Sequence, residues 1–151
     1  ALLTGMEIAD VPSSSGHLDV DYPVWAKVAL DSLNRYDGLY VHIKGPDDPG
    51  HDGDFLRKKE IIEAIDKFFF PALISGIDLK DYVICVTSDL CTVCNIKAHS
   101  AISVPLLVCG ASILPDGSLS FSEKACLYGS LGNLSGQDIM PYLVKSAQLA
   151  V

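Results

Sequence analysis

Between Lys44 and Asp54 the chain reads KGPDDPGHDGD, which sets Asp47, Asp48, His51, Asp52 and Asp54 on one short segment. Carboxylates are hard oxygen donors and imidazole is a nitrogen donor; gathered this closely they suit a divalent cation. Pro46, Pro49, Gly50 and Gly53 punctuate the segment, so it reads as loop. The bland alternative is a solvated acidic loop with no ligand. An apolar run, Leu39–Ile43, comes just before and has the pattern of a buried strand. In open α/β sheets, ligands bind just past the carboxyl ends of strands. Lys44 stands at that junction, where it either neutralises a bound phosphate or reaches solvent. A second acid, Asp89, follows a second apolar run, Tyr82–Thr87, and His99 precedes a third, Pro105–Val108. Asp47, His51, Asp89 and His99 are therefore expected to converge, although they are far apart in sequence.

Other cation chemistries fit less well. A calcium-binding helix-loop-helix starting at Asp48 needs an oxygen ligand at its third position and Glu at its twelfth. Gly50 and Lys59 occupy those positions, which excludes it. Cys91-Thr92-Val93-Cys94 is a single cysteine pair; with Asp89 and His99 it is a weak zinc signal, and two small residues in a tight loop is the favoured reading. A phosphoacceptor domain of the receiver type also carries an Asp after a strand, but it leaves the crowded acidic loop and His99 without a role.

Several elements must position these residues. Asp21 is expected to cap a helix starting near Tyr22 with Pro23 in its first turn. Trp25, Val28, Ala29, Ser32 and Leu33 would line one face of it. Asp54 is placed to cap a second helix over about 55–73, with Ile61, Ile62, Ile65, Phe68 and Phe69 as its buried stripe. Met6–Val11 reads as a short strand. Ser135-Gly136-Gln137-Asp138 resembles a capping box launching a helix to about Gln148. His42, inside an apolar run, reads as a structural histidine, and Asp48 as hydrogen-bond support for ligands. Alternation of strand and helix predicts right-handed crossovers and an α/β fold of three layers, α/β/α, around a mainly parallel sheet.

Composition bounds the function. The 151 residues suffice for one core, and 49% hydrophobic with 20% charged residues reads as soluble and globular. With 19 acidic and 11 basic residues the formal net charge is -8, which argues against nucleic acid or an anionic membrane as partner. No apolar stretch reaches the length of a membrane span. The five cysteines are an odd number in a core-rich chain, and Cys85 and Cys109 lie inside apolar runs; a reducing cytoplasm is expected. The opening ALLTGMEIADV has no basic n-region and no initiator Met, so a fragment of a longer protein is expected.

KGPDDPGHDGD, TSDLCTVCNIKAHSAISVPLLVCG and GSLGNLSGQDIMPYL, in this order, resemble the archaeal-type 2,3-bisphosphoglycerate-independent phosphoglycerate mutases of the alkaline phosphatase superfamily. The resemblance covers nearly the whole chain and is to the carboxy-terminal part of that family's metal domain. It implies that the amino-terminal part and cap domain are absent and that no catalytic nucleophile is identifiable here; Lys44 is the expected substrate-binding residue. The resemblance further implies two divalent ions (Mn, Zn or Mg), with Asp47, His51 and His99 at the first and Asp89 at the second. The family has Asp-His where this sequence has Asp89-Leu90, so the second site loses a nitrogen donor. The implied reaction is metal-dependent phosphoryl transfer through a phosphoenzyme, interconverting 3-phosphoglycerate and 2-phosphoglycerate. The alternative is a catalytically impaired homologue kept as a binding module.

Overall fold

Leu18–Leu33 forms the longest helix, α1, and its buried face explains most of what surrounds it. The computed structural model describes residues 2–111 and 113–148. These fall into two units, one running to Ile77 and including Cys94–Ala98, the other comprising Asp78–Val93 and the residues from His99 onward.

In the first unit, α1 starts earlier than its sequence signals suggest. His17 stands at the N-cap, without a side-chain cap, and Pro23 lies inside the helix. Asp21 is not the cap. It is buried, and its carboxylate accepts hydrogen bonds from the Ser14 and Ser15 hydroxyls, both at 2.6 Å, and from the Ser15 N–H at 3.0 Å. The carboxylate thus ties the Ser-rich segment down onto the helix. The buried stripe is centred on Tyr22, Ala26 and Ala29, with Trp25, Val28 and Leu33 on its flanks. Small alanines at helical spacing let α1 lie close to its neighbours, and Tyr22, 1% exposed, fills the remaining space.

The short helix α2, Asp47–Asp52, occupies the acidic segment expected to be loop. Gly53, with φ 79°, ends it in the left-handed conformation that glycine adopts without strain. Asp54 then caps α3, Phe55–Ala64, accepting from the Arg57 N–H at 2.9 Å as expected. A π-helical turn, Ile65–Phe69, joins α3 to α4, Phe70–Ile74. The Phe70 N–H bonds to the Ile65 carbonyl. Pro71 cannot donate to the carbonyl four residues back, and the wider turn lets the helix continue past it. The buried stripe differs from the expected one: Ile61, Phe69 and Leu73 are buried while Ile62 is 49% exposed.

Two strand expectations fail in this unit. Met6–Val11 and Leu39–Ile43 belong to no strand, and Leu39, Tyr40 and Val41 are exposed. Hydrophobicity alone does not make a strand; a ladder partner must lie alongside. Only Ile43 of the second run packs against the core.

In the second unit, β1 is Val83–Thr87 and β4 is Leu106–Gly110. They pair antiparallel, Val83 opposite Gly110 and Thr87 opposite Leu106. The mainly parallel sheet is thus corrected: the described sheets are two-stranded, β1 with β4, and β2, Cys91–Val93, with β3, Ala98–Ser100. The segment between β1 and β4 contains no crossover helix, only the β2–β3 pair. Without the helix that a parallel connection needs, the chain turns back on itself. A short helix, α5, Glu123–Cys126, is capped by Ser122, and α6, Gly136–Gln148, packs against β1. The Asp138 carboxylate accepts from the Ser135 N–H at 3.3 Å, so the Asp variant of the capping box forms its backward bond. Among the described residues no helix is long and apolar enough to cross a membrane.

Candidate metal centre

Asp47 and His51 are one helical turn apart on α2, so both side chains leave the same face. The His51 Nε2 lies 3.4 Å from the Asp47 Oδ1. Two donors bound tetrahedrally at about 2.1 Å stand roughly 3.4 Å apart, so this separation already matches a shared cation. The other ring nitrogen, His51 Nδ1, lies 3.3 Å from the Lys97 carbonyl oxygen. In β3, the His99 Nδ1 is 3.1 Å from the hydroxyl of Thr92, which is itself 5% exposed. The carboxylate and imidazole that α2 brings together are donors suited to a divalent first-row cation.

The other expected residues are placed differently. Asp89 is exposed in the turn after β1. Leu90, 38% exposed, follows it. Lys44 is exposed at the rim of a groove of about 280 Å³ in the first unit, with Ser14, Tyr22, Trp25, His42 and Ile61 among its walls. His42 is not the buried structural histidine expected; it is exposed, its ring tilted against Tyr40. Asp48 and Asp52 are exposed on α2. Cys91 and Cys94 are free thiols, and no metal-capable group among the described residues includes either.

The Ser14 and Ser15 hydroxyls hold the Asp21 carboxyl down at about 2. The Ser130 N–H, with Ser118, does the same for Asp116. Burial pushes the Cys85 and Cys109 thiols up, so both are unreactive at neutral pH. Thr92 and Lys97 escaped the reading from sequence. Lys97 takes part through a backbone carbonyl, which no residue type announces, and Thr92 was read only as filler between two cysteines.

A family model described as the metalloenzyme superfamily matches residues 1–146. The chain is 36% identical over 143 residues to the 2,3-bisphosphoglycerate-independent phosphoglycerate mutase of Methanoculleus marisnigri. It is 39% identical over 145 residues to the enzyme of the same name from Pyrobaculum calidifontis. These alignments cover 95% and 96% of this chain but 34% of each relative, so the chain spans about a third of their length. The solved structure of the PH0037 protein from Pyrococcus horikoshii superposes with a TM-score of 0.88 at 30% identity, covering 95% of this chain and 43% of that one.

Proposed function

The chain belongs to the metalloenzyme superfamily, and from that premise we propose that Asp47, His51 and His99 hold a divalent cation in a phosphoglycerate mutase. The observation that carries this reading is the Asp47–His51 pair, one helical turn apart on α2 with donor atoms 3.4 Å apart. The relatives are named 2,3-bisphosphoglycerate-independent phosphoglycerate mutases, and the reaction proposed is interconversion of 3-phosphoglycerate and 2-phosphoglycerate without a bisphosphoglycerate cofactor. In this reading the chain is the carboxy-terminal part of the metal domain, in a cytoplasmic protein whose other parts supply the nucleophile. The three-layer α/β/α arrangement is a property of that intact protein.

The roles of this chain's residues follow from their chemistry. Asp47 brings the negative charge that offsets a dication, and the two imidazoles bring neutral donors. A cation bound there would offset charge on a phosphoryl group and lower the pKa of a hydroxyl nucleophile. Lys44, a mobile point charge at the rim of its groove, attracts the phosphate of the substrate. Asp89 serves a second cation, and with Leu90 beside it that second site is the weaker one. The impaired-homologue reading rests on Leu90 alone.

Metal titration of the intact protein, paired with a mutase assay, tests the proposal. One tight divalent cation, a weaker second, and loss of the tight one in His51→Ala are expected. A tight site that survives His51→Ala removes the assignment; metal binding without phosphoglycerate turnover leaves the binding-module reading in its place.

A further inference from the structure

Lys97 adopts φ 54°, a left-handed conformation that a residue with a Cβ takes at a cost. It lies in the turn between β2 and β3, and its carbonyl oxygen is the group 3.3 Å from His51 Nδ1. Its side chain lies across Gly53, the residue that ends α2. A Cβ on Gly53 would come within 2.7 Å of the Lys97 Cε and 3.2 Å of the Cys94 carbonyl oxygen. The missing Cβ at Gly53 is therefore the space into which the 94–97 turn closes against α2. Two residues in the left-handed region, one in each segment, meet beside the histidine.

We propose that Lys97 is a positioning residue, acting through its strained backbone rather than its ammonium group, whose carbonyl keeps the proton of His51 on Nδ1 and leaves Nε2 as the metal-ligating atom. The inference rests on the metal-centre reading above. A carbonyl oxygen can only accept, so a bond to it requires Nδ1–H. The neutral imidazole then has its lone pair on Nε2, the atom that faces Asp47 at 3.4 Å. Hydrogen bonds from the distal nitrogen of a ligating histidine fix its tautomer and ring orientation, and their loss commonly weakens metal binding tenfold or more. Rotating the Lys97 peptide out of the left-handed region would swing this carbonyl away from the ring. The Thr92 hydroxyl beside His99 differs in kind, because a hydroxyl donates or accepts and so permits either tautomer.

The test compares Lys97→Gly with Lys97→Val in the intact protein, with Zn²⁺ as probe. Glycine keeps the left-handed backbone and removes the side chain, whereas valine disfavours that backbone. Zn²⁺ affinity is read by calorimetry, and the His51 tautomer from its ring ¹⁵N shifts. Lys97→Gly is expected to bind within about twofold of the parent with the proton on Nδ1. Lys97→Val is expected to lose about tenfold in affinity and to populate the Nε2–H form before metal is added. Gly53→Ala, which disturbs the same junction from the other side, is expected to shift in the same direction and serves if Lys97→Val does not fold. The proposal is overturned if Lys97→Val, or Gly53→Ala in its stead, keeps both affinity and tautomer. It is equally overturned if a folded Lys97→Gly loses affinity, since the ammonium group then matters. His51→Ala separates this inference from its premise: a parent that binds Zn²⁺ no better than His51→Ala overturns the metal-centre reading itself.

Discussion

Replacing Thr92 by Val asks how much the second histidine depends on its hydroxyl partner. Thr92 is 5% exposed in β2 and its Oγ1 is 3.1 Å from the His99 Nδ1. Valine has nearly the same shape and suits a strand, so no cavity opens and the backbone has no reason to move. What is lost includes the hydrogen bond to His99, worth about 0.5–1.5 kcal/mol of stability. The His99 ring is exposed, so water can take over at Nδ1 and holds the loss near the lower end of that range. Metal binding should suffer more, because water does not orient the ring. A loss of about tenfold is expected, equivalent to roughly 1.4 kcal/mol. Calorimetric titration of the intact protein with Zn²⁺ reads the affinity, and denaturant unfolding in chelator reads the stability. Thr92→Ser, which keeps a hydroxyl, should stay within about threefold of the parent. Unchanged affinity in Thr92→Val refutes the reasoning. So does a stability loss large enough to account for the affinity loss by itself.

Two further predictions concern the scaffold. Gly110 has φ 96°, and a Cβ there would lie 2.1 Å from the Tyr82 carbonyl oxygen, so Gly110→Ala should cost about 2–4 kcal/mol from backbone strain and overpacking together; thermal unfolding checks it, and a melting point equal to the parent's would contradict it. Asp21 has a folded-state pKa of about 2, below its ordinary 3.8, so the stability it contributes is present above about pH 4 and is lost as pH falls through 2. Asp21→Asn should flatten that stretch of a melting-temperature profile against pH, and an unaltered profile would assign the acid sensitivity to other carboxylates.

Local chemistry was legible where one side chain acts on its own neighbourhood. The Asp54 cap, the Ser135–Asp138 turn and the strands at 83–87 and 106–110 could all be read because their signals lie within a few residues. Partnership could not. Leu39–Ile43 has a strand's composition, but a ladder depends on what lies alongside. β1 and β4 have the composition of parallel strands and run antiparallel. Asp21 looked like a cap because an acid before Pro is a common helix start, yet three donors from Ser14 and Ser15 claimed it. At the metal centre, residue types pointed to Asp47, His51 and His99. The groups that aim the two histidines, a carbonyl and a hydroxyl, are too common in any sequence to stand out.

The π-helical turn at Ile65–Phe69 bears on which length changes this lineage can tolerate. It is in effect one surplus residue held within a helix that runs from Phe55 to Ile74. Deleting a single residue there would restore ordinary α geometry and leave the downstream residues on much the same face. Phe69 and Leu73, now 3% and 9% exposed, would stay in the core, but Pro71 would meet a regular turn with no room for its ring. A surface loop of the same length could lose a residue with little effect. Homologues that keep Pro71 are therefore expected to keep the spacing between Ile61 and Leu73, while length varies at the loops around 34–38 and 113–121.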